Sequence, residues 1–269
     1  MIEFHNVTKT YGATTAVEKF SLQIPPGKTT VFVGSSGCGK TTLLRMINRM
    51  VDPTDGYITI DGEDIAHQKP VNLRRRIGYV MQSSGLLPHQ TVAANVATVP
   101  MLQGTSKNEA YGHVPRLLHK VGLDPDLVNR YPGQLSGGQA QRVGVARALA
   151  ADPNILLMDE PFGAVDPIVR ADLQTELLRL QQHIGKTIVF VTHDVEEAFL
   201  LGDQVVILRE GAQVAQAGSP SSIIESPANS FVSQFVGLGN GSREFHLKNT
   251  PTGTVVVDHL GRTHGTLTQ

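Results

Sequence analysis

The sequence predicts an α/β fold with three parts: a core of buried strands, an antiparallel β subdomain beside it, and a helical subdomain inserted at about residues 83–135. Three observations predict it. An apolar strand, TTVFV at 29–33, breaks into GSSGCGKTT and then a helical pattern. Two further apolar runs, ILLM at 155–158 and TIVFV at 187–191, end in Asp159-Glu160 and Thr192-His193-Asp194, as buried strands do when they deliver polar groups to one sheet edge. Strand patterns stop between Ser83 and Tyr131 and resume afterwards, so the helices there interrupt one sheet instead of founding a new domain.

The first strand ends in a phosphate-binding loop (P-loop): Gly34, four residues, then Gly39-Lys40-Thr41. Chemistry sets that spacing. Glycines let successive backbone N–H groups close around a phosphate, the Lys40 ammonium reaches the β and γ phosphates, and the Thr41 hydroxyl takes Mg²⁺. The helix that follows adds its N-terminal dipole. Gly34, Ser35, Ser36, Gly37, Cys38, Gly39, Lys40, Thr41 and Thr42 are therefore the candidate phosphate cradle, and the strand before and helix after argue against a mere glycine-rich turn.

The totals bound the rest. The chain has 269 residues, 40% hydrophobic and 17% charged, with a net charge of −1, which suits a soluble globular domain and supplies no field to attract nucleic acid. Its dense basic cluster, Arg74 to Arg76, reads as a solvated helix face before a binding patch. One cysteine, Cys38, excludes an internal disulfide. No apolar run approaches the roughly 18 to 20 residues of a membrane span and no leader precedes the first strand, so the expectation is a cytoplasmic chain that meets a membrane only through a partner.

In chain order, residues 2–10 and the stretch up to Ile24 alternate as antiparallel strands. Tyr11, beside turn residue Gly12, could stack on adenine or be an ordinary tyrosine. Leu43, Leu44, Met46, Ile47 and Met50 recur at helical spacing, and YITIDG is another strand. RIGYVMQ brings a strand to Gln82, which is polar punctuation or a ligand at the sheet edge. Helices are expected at Thr91–Pro100 and Glu109–Val121. Ser136, Gly137, Gly138 and Gln139 open a further helix, where two glycines would be costly without a use and offer N–H groups to an anion. Asp159 and Glu160 suit Mg²⁺ binding and water activation. Asp166-Pro167 caps a helix with Leu173, Leu177 and Leu180 on one face. His193 is a structural histidine or, arriving where a γ phosphate would lie, a ligand to it. QVVILREGAQVAQAG reads as a hairpin, and beyond Gly237 the pattern weakens into a tail with a short VVV strand.

Together the phosphate loop, Gln82, LSGGQ at 135–139, ILLMDE at 155–160, Asp166 and His193 resemble the ATP-binding-cassette (ABC) ATPases over about residues 1–237. The resemblance implies the ABC ATPase fold, a P-loop NTPase core with an antiparallel β subdomain and an inserted helical subdomain, with ATP and Mg²⁺ as ligands. It makes Tyr11 the adenine-stacking ring, puts Thr41, Gln82 and Asp159 around Mg²⁺, and makes Glu160 the base on the attacking water and His193 the γ-phosphate sensor. Ser136, Gly137, Gly138, Gln139 and Asp166 would act across the interface of a head-to-tail dimer. Val165 stands where the family usually has Leu.

Stretches such as MINRMVDPTDG, LRRRIGYVMQSSGLLPHQTVAANVATVP and ARALAADPNILLMDEPFGAVDPI are similar to the glycine betaine, carnitine and choline uptake branch. That implies a separate ATPase subunit of a bacterial importer, peripheral on the cytoplasmic face of the membrane. Its permease would be met through Ser83–Pro100, and it would be served indirectly by an extracytoplasmic solute-binding protein. Another small solute, such as an amino-acid derivative, is the alternative within that class. A soluble cassette acting on DNA or the ribosome is the alternative outside it, but the usual second cassette, long coiled coil or zinc cysteines are missing. A regulatory module without turnover fits poorly with Glu160 and His193. Many members of that branch carry CBS domains after the cassette, so residues 238–269 are a short tail or a truncated regulatory region.

Overall fold

The computed structural model of the chain describes residues 1–163, 167–238, 245–250, 253–258 and 261–266. Strands β1 (Ile2–Tyr11) and β2 (Thr14–Ile24) form an antiparallel pair across the Gly12 turn. Strand β3 (Thr29–Gly34) leads through the phosphate loop into α1 (Lys40–Ile47), and β4 (Asp55–Ile60) and β5 (Glu63–Asp64) extend the antiparallel sheet to the order β2-β1-β4-β5. Helix α2 (Pro70–Arg75) precedes β6 (Ile77–Val80). Four helices follow without a strand: α3 (Val92–Leu102), α4 (Lys107–Gly112), α5 (Val114–Lys120) and α6 (Gly137–Leu149). Then come β7 (Ile155–Asp159), α7 (Pro167–Ile184), β8 (Thr187–Thr192), α8 (Val195–Leu201), β9 (Gln204–Arg209) and β10 (Gln213–Gly218). Helices α9 (Pro220–Glu225) and α10 (Ser230–Phe235) precede three strands, β11 (Phe245–Thr250), β12 (Gly253–Asp258) and β13 (Thr263–Thr266).

The central sheet has the order β10-β9-β3-β8-β7-β6, with β9, β3, β8, β7 and β6 parallel and β10 antiparallel at the edge. Every residue of β3, β7 and β8 is buried, because both faces are covered, which is why these strands read as unbroken apolar runs. Alternate residues feed two cores. Val31, Val33, Leu156, Met158, Ile188 and Phe190 face the helical side, with Val96, Val143 and Leu118. Phe32, Leu157, Val189 and Val191 face α1 and the antiparallel sheet, with Leu43, Ile47, Phe4 and Phe20. The carboxyl ends of β3, β6, β7 and β8 therefore share one edge of the sheet.

Four local expectations are revised. Helix α1 stops at Ile47, with Asn48 as its C-cap and Arg49 left-handed at φ 56°, so Met50 lies beyond the helix and is 55% exposed. The helix expected over Glu109–Val121 is two helices meeting at His113, where Gly112 is a poor helix former and Pro115 offers no N–H. Helix α3 runs to Leu102, past Pro100. The tail holds three strands where the sequence suggests one; β11 is exposed along most of its length, so no buried face marked it. The cap expected at Asp166, with Val165, lies outside the described residues, as does the Leu180 side chain; Leu173 and Leu177 are buried.

Candidate functional site

The phosphate loop is shaped by close approach. At Gly34 a Cβ would stand 2.4 Å from the Leu208 carbonyl oxygen, and at Gly39, with φ of +110°, it would stand 2.5 Å from that of Ala16. Both positions require glycine. Within this cradle the buried Lys40 ammonium donates to the carbonyls of Gly34 at 2.7 Å and Ser35 at 2.8 Å. Its charge thus stands inside the loop, already turned toward the backbone that would surround a phosphate. Ala16, Ser36, Gly37, Gly39, Lys40, Thr41, Thr42 and Glu160 line an open depression of about 190 Å³. Cys38 is buried below it, its carbonyl accepting from the Ala212 N–H at 2.7 Å.

Asp159, at the end of β7, has two differently employed oxygens. Oδ1 accepts from Thr41 Oγ1 at 2.9 Å; Oδ2 accepts from Tyr79 Oη at 3.0 Å and lies 3.5 Å from Arg45 Nη2. Burial, and then the Asp159 charge, push the Tyr79 phenol up to about 12, so it keeps its proton and donates. Thr41 and Asp159 form an oxygen donor pair of the kind a hard cation such as Mg²⁺ takes. Tyr79 and Arg45 were not among the residues singled out from sequence. Arg45 follows Thr41 by one helical turn, and Tyr79 pairs with Leu157, on the same strand face as Asp159.

Glu160 follows directly and is held in the left-handed region, φ 44°, a conformation that costs roughly 1–3 kcal/mol off glycine and persists where neighbours impose it. Here its N–H donates to the Val191 carbonyl at 3.0 Å and its carbonyl accepts from the Gly163 N–H at 3.1 Å. The turn aims its carboxylate at two partners: Gln82 Nε2 at 3.4 Å and His193 Nδ1 at 3.2 Å. Gln82, Glu160 and His193 thus meet, as do Thr41 and Asp159, and Lys40, Thr41 and Glu160 line one depression.

The remaining candidates stand apart in their bonding. Ser136 caps α6 in a reciprocal box with Gln139: Ser136 Oγ accepts from the Gln139 N–H at 3.2 Å and Gln139 Oε1 accepts from the Ser136 N–H at 2.9 Å. Gly137 is exposed and Gly138 buried. Among the described residues no hydrogen bond joins this turn to the phosphate loop. Tyr11 is 51% exposed with Lys9 Nζ 5.1 Å from its ring centroid. Asp166 is outside the described residues.

The segment after Gln82 is gripped by side chains from the helical layer. Arg147 donates to the carbonyls of Ser84 at 2.9 Å and Gly85 at 2.6 Å, Gln141 to that of Met81 at 3.1 Å, and buried Asn95 both accepts from and donates to the Leu87 backbone. Beside it, a cleft of about 620 Å³ runs past Arg45, Tyr79, Met81, Gln82 and Asp159. It adjoins a depression of about 290 Å³ that includes Met50, Met81, Val99 and Arg147.

A P-loop at the edge of a parallel sheet, flanked by an antiparallel sheet and interrupted by a helical layer that carries a capped LSGGQ turn, is the architecture of an ATP-binding cassette. The chain is similar to a solved dimeric ATP-binding cassette in a post-hydrolysis state bound to ADP and Pi, with 34% identity and a TM-score of 0.74 over 82% of this chain and 99% of that one. Residues 17–163 match the ABC transporter family. The choline transport ATP-binding protein OpuBA of Bacillus subtilis is 50% identical over 88% of this chain. So is the glycine betaine uptake system ATP-binding protein YehX of Escherichia coli, again over 88% of this chain. This chain spans 62% of the length of OpuBA and 77% of that of YehX. The chain belongs to the ABC transporter family.

Proposed function

We propose that this chain is the ATP-binding and ATP-hydrolysing subunit of an importer for quaternary amine osmoprotectants such as glycine betaine, carnitine or choline. The observation that carries the reading is the meeting of Lys40, Thr41, Asp159, Glu160, Gln82 and His193 at one sheet edge in a chain 50% identical to ATP-binding proteins named for choline and glycine betaine transport. Residues 1–237 form the cassette and 238–269 a tail.

In this reading the loop from Gly34 to Thr42 wraps the phosphates, with Lys40 moving from loop carbonyls to phosphate oxygens. Tyr11 stacks on adenine. Thr41, Asp159 and Gln82 hold Mg²⁺, whose charge offsets that of the phosphates. Glu160 orients the attacking water and draws its proton as the water oxygen reaches the γ phosphorus and ADP departs. His193, bonded to the same carboxylate oxygen as Gln82, reports the γ phosphate to that carboxylate. Ser136, Gly137, Gly138, Gln139 and Asp166 complete the site of a second copy. ATP then binds the closed dimer better than the open one, and hydrolysis releases it.

Among the described residues no helix is long and apolar enough to cross a membrane. In this reading permease subunits hold the chain at the cytoplasmic face. Residues 83–100 and the cleft beside them, with Met50 and Met81 exposed, are the proposed contact. A solute-binding protein would supply the cargo from outside. The test is Glu160→Gln: ATPase turnover should fall by about 10²- to 10⁴-fold, the usual worth of a positioned base, while ATP binding persists. Equal turnover in wild type and variant would sink the assignment, and co-purification of the trapped variant with a polytopic permease checks the transport role.

A further inference from the structure

We infer that Tyr79 is a positioning residue for Asp159: its hydroxyl holds Oδ2 so that Oδ1 alone faces Thr41 and the cation. The inference rests on the nucleotide and Mg²⁺ reading given above. The geometry is asymmetric. Oδ1 has the Thr41 hydroxyl at 2.9 Å, while Oδ2 has the Tyr79 hydroxyl at 3.0 Å and the Arg45 guanidinium at 3.5 Å. Asp159 is 6% exposed, so little solvent remains to orient it.

The two partners of Oδ2 differ in how firmly they can hold it. Arg45 is 49% exposed at a long contact on a flexible stem, and its grip competes with water. Tyr79 stands on β6, opposite Leu157 in the parallel ladder, with its ring packed against the core beneath α1. A ring fixed in that way aims its hydroxyl from a rigid element. A carboxylate with one oxygen so engaged cannot turn freely about its last side-chain torsion, and it presents a single oxygen next to Thr41. Partners of this kind orient metal ligands, and their loss typically weakens metal affinity 10- to 100-fold.

Tyr79→Phe removes one oxygen and keeps the packed ring. Mn²⁺, a paramagnetic probe for the Mg²⁺ site, is titrated into wild type and variant in the presence of ADP and followed by electron paramagnetic resonance; ADP affinity is measured separately in EDTA. The expected result is Mn²⁺ affinity weakened by about tenfold with ADP affinity in EDTA within about twofold of wild type, since the phosphate cradle is untouched. Unchanged Mn²⁺ affinity overturns the inference. So does an equal loss of ADP binding in EDTA, which would make the hydroxyl a support of the loop as a whole. Arg45→Met should weaken Mn²⁺ less than Tyr79→Phe does, and the reverse order assigns the role to Arg45. If wild type itself binds ADP no better with Mn²⁺ than in EDTA, the nucleotide and metal reading fails on that arm alone and takes this inference with it.

Discussion

Glu197, buried in the first turn of α8, shows how a single residue can tie stability to pH. Burial, the largest influence on it, raises its pKa from the ordinary 4.5, while hydrogen bonds from Thr192 and from Gln174 Nε2, the latter at 3.0 Å, pull the other way. The folded value lies above the unfolded one, so the folded chain holds this proton more tightly. The stabilisation is therefore fully present below the unfolded pKa and is lost as pH rises through the folded pKa. Glutamine cannot ionise and still offers Gln174 an oxygen. The urea midpoint of Glu197→Gln should gain on that of wild type as pH rises from about 5 to about 8. A difference between the two that stays constant across that range would mean that burial does not govern this carboxyl. Thr192 and Asp194 flank His193, and Asp194 Oδ1 caps the same helix through the N–H groups of Glu196 and Glu197. The Asp194 charge beside Glu197 adds to the upward shift of its pKa.

Helix α6 acts as a beam between the LSGGQ turn and the segment after Gln82. Ser136 and Gln139 close its N-terminus, and Arg147, ten residues beyond Gly137, closes on Ser84 and Gly85. Burial lowers the Arg147 pKa but leaves it a cation, and charged donors to carbonyls are worth about 1.5–3 kcal/mol each way they are lost. Arg147→Met keeps the stem and drops both bonds. Amide exchange across residues 83–87 should then quicken by on the order of tenfold or more, with the core strands unaffected. Exchange confined to wild-type rates there would show that the grip is superficial. Such a contact is hard to read in advance, because 62 residues separate its ends. The elements themselves were legible where one force dominated. β3, β7 and β8 announce themselves because burial on both faces leaves only apolar residues, and α6 because a cap and an apolar face coincide. The phosphate cradle was legible because backbone geometry dictates its glycines. Tyr79 was not, since a four-residue strand carries no mark of which hydroxyl meets which carboxylate until the β6–β7 register is known. The early stop at Ile47 turns on one left-handed backbone conformation, at Arg49, and the break at His113 on Gly112 and the missing N–H of Pro115, none of which alters the apolar spacing.

At the scale of the whole molecule the LSGGQ turn is complete as structure and idle as chemistry. The Ser136 and Gln139 side chains each accept from the other residue's backbone N–H, the first N–H groups of α6 have no carbonyl partner within the helix, and among the described residues a Cβ on Gly137 would meet nothing within 4 Å. Among the described residues no close approach requires a glycine there. In the proposed nucleotide-sandwich dimer the turn would lie against the γ phosphate bound to the other copy, where a side chain would intrude and the dipole of α6 would add to the attraction. Gly137→Asp separates the two levels. Within one copy the substitution is tolerated, because space is open and an acidic residue in a helix's first turn is worth roughly 0.3–1 kcal/mol of stabilisation. Across a dimer it sets a carboxylate against a phosphate. In the hydrolysis-slowed Glu160→Gln background, ATP should convert monomer to dimer in sedimentation, and adding Gly137→Asp should abolish that dimer while thermal stability and ADP binding to each copy stay near the parent's. Persistence of the dimer would remove the turn from the interface, and loss of ADP binding by the monomer would place it at the phosphate loop of its own chain.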